Sequence, residues 1–491
     1  MLRRVMGELK RRFQIPDEIP DKPDDLRAAF ADWLSIATAQ GRAIIILDGL
    51  NQLEDRDGAP DLVWLPSVIP ANIRLMVSTL PGRPLDELRK REWPQMTVAP
   101  LQPEERKELI AGYLAQYRKS LSRPQVERIA SGDQTSNPLY LRVLLEELRV
   151  FGIHEKLDER IGYYLAARTI PELYERVLIR WEEDYERDRP QLVRDTMTAL
   201  WAARKGLAEF ELLEILGSRG NPLPQACWSP LHLAAEQALV SRWGKIEFFH
   251  DYLRQAVRQR YLPSDRQQKA GHFRLADYFR GAELGPRKIE ELPWQLCRAQ
   301  AWKEIYELLV DDEFFQAIWK INHFDLMEYW ALIESGSSLR MVKGYGVVLK
   351  NPEGHEEIVW SVASLLANTG HPAESLRLRE YLVSYFKKKG DLDNLHGSLG
   401  NQASILYSRG DLDDAMKLHR EEERICKEFG NVQGLAVSLT NQAILLAGDG
   451  NRPHEALPLA EEAYRLVTKH GFTYLEKRVK SILEDTRNRI K

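Results

Sequence analysis

Cysteine is scarce in this chain: Cys227, Cys297 and Cys426 are the three present, and none sits in a Cys-x-x-Cys pair. That excludes a disulfide framework and a thiolate zinc site read from sequence, and it favours a reducing compartment, so a cytoplasmic location is expected. No apolar run approaches the roughly 18 residues that would cross a bilayer. The amino terminus, Met1–Lys10, is basic but has no apolar centre of signal-peptide length, and it reads as a helix continuing through Phe13. An excess of one charge is also missing. Lys and Arg total 69 against 73 Asp and Glu, a net charge of -4, so no general positive field draws the chain to nucleic acid or to an acidic membrane. The last absence concerns chemistry: a glycine-rich phosphate loop ending in Lys-Ser or Lys-Thr occurs nowhere in the 491 residues.

What is present points to a multidomain, mostly α protein. At 491 residues with 44% hydrophobic composition, the chain has material for about three or more domains. Residues 24–40 place Leu26, Phe30, Trp33, Leu34 and Ala37 at helical spacing, and Gly41 supplies a stop before an apolar strand at Ala43. Ile73–Val77 and Met96–Val98 read as further strands, so residues 1–102 predict a partial parallel α/β sheet ending near residue 100. Helical patterns at 104–117, 124–131 and 139–150 define a helical domain over 103–170. Residues 171–262 read as helices, then a hairpin about Gly244, then a helix from Asp251 to Tyr261, which is the order of a winged-helix module. Residues 263–350 are helical, carry Trp294, Trp302, Trp319 and Trp330, and show no clean repeat.

Residues 351–491 do repeat. Leu399-Gly400-Asn401-Gln402-Ala403 returns as Leu439-Thr440-Asn441-Gln442-Ala443, an offset of 40 residues. Gly370, Gly410 and Gly450 follow the first helix of each unit, Ser375, Ala415 and Ala456 open the second, and Gly390, Gly430 and Gly471 close it. Two helices per unit at this period predict an α-solenoid whose units bury their apolar faces by stacking.

Asp48 follows the strand Ala43–Leu47, and a carboxylate at the carboxyl end of a parallel strand is where nucleotide domains hold a magnesium-bound water; a core strand with a polar turn is the plainer reading. Asn51 and Gln52 follow where hydrolysis would want a carboxylate, and amides cannot take that proton. Glu54 or Asp55 could substitute if the turn folds back, or be solvated charges. Ser78 and Thr79 end the next strand, placing hydroxyls either near a γ-phosphate or in an ordinary turn. Arg83 is near enough to meet an anion, with a surface salt bridge as its default. Pro138 opens a helix behind Asn137. His250 ends the hairpin, able to donate to a phosphate or to a local carbonyl.

Taken in order, Ile44–Glu54, Arg74–Thr79, Asn137-Pro138-Leu139 and Phe248-Phe249-His250-Asp251, followed by helical repeats, resemble the STAND class of signal-transduction NTPases, in particular NACHT-like members related to nephrocystin-3 and telomerase protein component 1. The resemblance implies that Asp48 matches the Walker B acid, with Mg through water, and that Ser78 and Thr79 lie in the sensor-1 region. It further implies that Pro138 packs on adenine and that His250 meets the ADP phosphate. It also implies an ATP/ADP switch, self-association, and protein partners held by tetratricopeptide-like repeats. Without a phosphate loop, charge-assisted bonds of roughly 1.5–3 kcal/mol each are lost, so autonomous hydrolysis is not expected. The 47 residues ahead of Asp48 leave too little room for such a loop and its helix, which reads as the carboxyl-terminal part of a longer switch. A non-catalytic interaction scaffold with a degenerate nucleotide domain is the competing reading. A winged-helix DNA reader fares worse, because Glu247 and Asp251 leave no basic stripe.

Overall fold

Basic at its ends and apolar along one stripe, the first helix, α1 (Leu2–Phe13), buries Met6, Leu9 and Phe13 in one cluster with Phe30, Trp33, Leu34 and Ala37 of α2 (Pro23–Gln40). The amide of Gly41 donates to the Ala37 carbonyl at 3.1 Å and ends α2. The chain then enters β1 (Ala43–Leu47), which pairs in parallel with β2 (Ile73–Val77), Ala43 opposite Ile73 and Leu47 opposite Val77. A short helix, α3 (Arg83–Arg89), follows. This computed structural model describes residues 1–15, 19–20, 23–53, 55, 58–218, 220–448 and 450–490. It divides into two units, Met1–Val98 with Gly430–Lys491, and Ala99–Phe429.

Two expectations for the first unit are corrected. Met96–Val98 forms no strand, and Met96 and Val98 are 87% and 85% exposed. Pro94 and Pro100 bracket that run, and each removes a ladder donor. Nor is β1 buried on both faces: Leu47 is buried, whereas Ile44 and Ile46 are 71% and 66% exposed. Alternate residues of a strand face opposite sides, and the core formed with α1 and α2 takes the side of Ala43, Ile45 and Ile73.

In the second unit one apolar core runs from Ile110 to Leu382. Its first layer comprises α4 (Pro103–Ala115), α5 (Arg123–Ala130), α6 (Pro138–Val150) and α7 (Leu157–Leu165). Asn137 caps α6 by accepting from the amides of Leu139 and Tyr140 at 2.9 and 3.3 Å, and Pro138 takes the first-turn position where no amide is needed. Next come α8 (Ile170–Tyr185), α9 (Leu192–Ala202), β3 (Leu207–Ala208), α10 (Glu209–Leu216), α11 (Gln225–Ala235), β4 (Leu239–Arg242), β5 (Lys245–Phe248) and α12 (Asp251–Tyr261). The strands form an antiparallel sheet in the order β3-β5-β4. The expected hairpin closes through Trp243 and Gly244, both at positive φ (55° and 75°), the pair a tight two-residue turn demands. Gly206, at φ 69°, brings its backbone so close to β5 that an added Cβ would lie 2.6 Å from the Ile246 carbonyl oxygen.

Residues 263–350 share this core. They supply α13 (Asp265–Gly281), α14 (Pro286–Arg298), α15 (Trp302–Val310), α16 (Asp312–Gly336, kinked at Asn322), α17 (Met341–Gly344) and α18 (Gly346–Lys350). Trp330 is buried and its indole donates to Tyr345 at 3.3 Å, and the Tyr345 hydroxyl donates on to the Leu309 carbonyl at 2.9 Å. Glu290 of α14 ties the hairpin to this layer, accepting from Lys245 of β5 at 2.9 Å and from Arg287 at 2.7 Å and pairing with Lys205 at 2.9 Å.

The repeats fold as antiparallel-compatible helical pairs joined by short glycine turns. α19 (Glu356–Asn368) packs on α20 (Pro372–Lys389), α20 on α21 (Leu392–Ser408), and α21 on α22 (Leu412–Phe429). In the other unit α23 (Val432–Ala447) packs on α24 (Pro453–His470), and α24 on α25 (Thr473–Ile490). Ser375, Ala415 and Ala456 are all fully buried, as small residues at helix crossings should be.

Two measurements follow from this packing. Gly206→Ala combines a strained φ with a backbone clash and should cost at least about 1 kcal/mol in urea unfolding. Burial alone would raise the Glu290 carboxyl, but hydrogen bonds and charge from Lys245 and Lys205 hold it down at about 2, below its ordinary 4.5. A depressed folded pKa means that the stability from Glu290 is complete above about pH 4.5 and is lost as pH falls towards 2. Glu290→Gln should therefore flatten acid unfolding across that window, read as urea midpoint against pH.

Candidate functional site

At the carboxyl end of the parallel pair, backbone bonds cross between the strands: Ser78 N donates to the Leu47 carbonyl at 3.0 Å and Leu50 N to the Ser78 carbonyl at 2.9 Å. Gly49, at φ 73°, lets the chain turn there. The turn brings Asp48 and Ser78 together. The Ser78 hydroxyl donates to the Asp48 carboxylate and accepts from Gly49 N at 2.9 Å. Asp48 is exposed. Thr79 is not part of this pair, since its hydroxyl donates to the Leu80 carbonyl at 3.0 Å. Asn51 accepts from Leu80 N at 3.3 Å, which bolts the turn after β1 to the turn after β2. Arg83 is engaged by two carboxylates, Asp61 at 2.7 and 2.6 Å and Asp55 at 2.8 Å, so it makes the surface ion pairs that are the default for such a residue. Glu54 lies outside the described residues.

In the second unit α6, α8, the end of α11 and the end of β5 surround an open pocket of about 450 Å³, solvent in its mouth included. Leu139, next to Pro138, lines it together with His250, Arg142, Trp181 and Gln237. His250 is the residue before α12, its ring 4.4 Å from that of Phe249, and its imidazole makes no hydrogen bond among the described residues. Partial burial, and then the charge of Arg142, hold its pKa below the ordinary value, so it is neutral at pH 7. Arg142 donates to the Gln237 amide oxygen. The indole Nε1 of Trp181 is buried without a hydrogen-bond partner among the described residues.

Two carboxylates also reach this pocket, but both are already satisfied. Glu146 accepts from Arg149 and from the Tyr113 hydroxyl. Glu147 accepts from Arg180 at 2.5 and 2.9 Å and from the Tyr164 hydroxyl at 2.6 Å. Donor capacity remains at the His250 imidazole, at the Arg142 nitrogens not bonded to Gln237 and at the Trp181 indole N–H, which suits a ligand rich in acceptor oxygens. No group of three His, Cys, Asp or Glu residues able to hold a metal ion occurs among the described residues. A magnesium ion at Asp48 would therefore take the rest of its shell from phosphate and water.

Sequence reasoning singled out Pro138 and His250 and missed Arg142 and Trp181. Arg142 lies one turn beyond Pro138 on α6, so helical spacing alone could have flagged it. Trp181 carried no such signal.

No protein-family model matches the chain. A TPR repeat-containing protein of Dictyostelium discoideum is 34% identical over 329 residues, which is 65% of this chain and 20% of that protein. Mouse nephrocystin-3 is 24% identical over 407 residues, 78% of this chain and 29% of its own length. The chain thus spans between 20% and 29% of these relatives. A solved STAND protein with a tetratricopeptide repeat sensor from Pyrococcus horikoshii aligns over 96% of this chain and 68% of its own, with a TM-score of 0.41 and 13% identity. Nephrocystin-3 and mouse telomerase protein component 1 are both relatives of this chain, as the order of its motifs implied. No helix among the described residues is long and apolar enough to cross a membrane.

The Glu147–Arg180 pair beneath the pocket is almost wholly buried, with side chains 4% and 8% exposed. Removing one member strands the other, so Arg180→Met should cost about 3–5 kcal/mol in urea unfolding, and Glu147→Leu combined with it should restore most of that loss.

Proposed function

We propose that this chain is the switch and sensor part of a cytoplasmic STAND-type regulator, which couples an ATP/ADP state to protein partners held by its helical repeats. In this reading residues 1–102 are the nucleotide domain fragment, 103–170 the helical domain, 171–262 the winged helix, 263–350 a linker and 351–491 the repeats. The observation that carries it is the pocket lined by Leu139 and His250, in which the Trp181 indole N–H and further Arg142 N–H groups have hydrogen bonds to give. Pro138 would pack against the adenine ring. Within the second unit His250, Arg142 and Trp181 would donate to phosphate oxygens. Within the first unit Asp48, bonded by Ser78, would hold a magnesium-bound water. The bound nucleotide would supply the charge whose loss or exchange shifts the balance between states.

A scaffold reading is favoured by a different observation, the amides Asn51 and Gln52 after Asp48, with Arg83 committed to Asp55 and Asp61. Nucleotide binding separates the two. A fluorescent ADP analogue titrated into the chain should give saturable anisotropy, weakened at least about tenfold in His250→Ala with an unchanged melting temperature of the free protein. Equal binding by that variant reduces His250 to a helix-start residue, and no binding by the parent chain leaves the scaffold. A phosphate brought beside His250 should raise its depressed pKa, so calorimetry near pH 6 in buffers of different ionisation enthalpy should show proton uptake on binding.

A further inference from the structure

Aligning the second helices of the repeats on Ser375, Ala415 and Ala456 brings three buried positions into register: Arg379 on α20, His419 on α22 and Ala460 on α24. One turn further on stand Leu382, Glu422 and Ala463, and on the facing helices stand Trp360, Gly400 and Thr440. All three inner positions are buried, Arg379 and His419 at 3% and 2% exposure. They fill this position differently. In the second repeat, His419 Nδ1 meets Glu422 at 2.8 Å, and Gly400 makes room for that carboxylate, since a Cβ there would lie 2.5 Å from Glu422 Oε1. In the third repeat alanine places no polar group there.

The first repeat has a permanent cation, Arg379, and lacks the acid. Leu382 occupies the register of Glu422, and the hydrogen bond made by Arg379 is the donation from Nη2 to the Ser364 hydroxyl at 2.6 Å. Its Nε and Nη1 are buried with no hydrogen-bond partner among the described residues. Burial depresses its pKa to about 10, and no neighbouring carboxylate offsets that. Over the guanidinium, 5.4 Å from the ring centroid, lies Trp360, in the place of Gly400 and 45% exposed. A guanidinium is an always-charged fork built for a carboxylate, and leaving it buried and unpaired is costly. The indole at the surface gives an incoming chain an apolar contact beside it.

We propose that the first repeat is an acceptor site for a glutamate or aspartate side chain of a partner protein, with Arg379 supplying the charge and Trp360 the apolar wall. The site stands apart from the pocket at His250 and does not depend on nucleotide. The partner's carboxylate takes the role that Glu422 plays internally one repeat later.

The test uses the full chain and a fluorescein-labelled hexaglutamate peptide, with hexaglutamine as control, titrated to millimolar concentration at low salt. Hexaglutamate should bind and hexaglutamine should not. Two variants probe the site: Arg379→Leu removes the charge, and Leu382→Glu supplies the internal acid seen in the second repeat. Both should weaken hexaglutamate at least tenfold, and Leu382→Glu should raise the melting temperature while doing so. Hexaglutamate affinity that matches hexaglutamine, or that is unchanged in Leu382→Glu, overturns the proposal. A Leu382→Glu chain that melts lower than the parent also overturns it, because Arg379 would then not be a cation in want of an acid.

Discussion

The second unit depends on a buried charge held in place by hydrogen bonds, the Glu147–Arg180 pair. Three helices meet at it: α6 gives Glu147, α7 gives Tyr164 and α8 gives Arg180. Burial opposes the charge on Arg180, yet its bonds to Glu147 and Asp184 outweigh that and raise its pKa overall. An apolar core alone would let α6 and α8 slide along one another, because hydrophobic contact has no direction. The paired fork has one geometry, so it sets the rotation of both helices. That rotation decides which residues of α6 and α8 line the pocket at His250, the exposed Arg142 and the buried Trp181 among them, and hence its chemistry.

The same unit handles its other buried acids by surrounding them with donors. Glu291 is fully buried and accepts from the amides of Arg204 and Lys205 and from Gln295. Glu211, also buried, takes a two-pronged bond from Arg287 at 2.8 and 2.9 Å. These contacts join α9, β3 and α10 to α14, which explains why residues 263–350 share a core with what precedes them. Against that background Arg379 is an exception: a buried charge in this molecule ordinarily carries its partner with it.

Much of the fold was legible in the sequence because helices announce themselves locally. Asn137 before Pro138, Gly244 between two short apolar runs, and the glycine spacing of the repeats each encode a backbone geometry within a few residues. The strand expected at Met96–Val98 failed for a reason equally local, the flanking Pro94 and Pro100. The exposure of Ile44 and Ile46 was not legible. Whether a strand is covered on one face or two depends on elements far away in the chain.

The candidate site divides in the same way. Composition and motif order determined that the chain is mostly helical, repeats at its carboxyl end, lacks a phosphate loop and places an acid after a parallel strand, all properties carried by near neighbours in the chain. Only the tertiary structure decided that Ser78 binds Asp48 across 30 residues, that Arg83 is spent on Asp55 and Asp61, and that Leu139 and His250 share a pocket with an unpaired indole. Those outcomes turn on which side chains of distant segments reach one another first, and hydrogen bonding between such segments leaves no spacing that a linear pattern could carry.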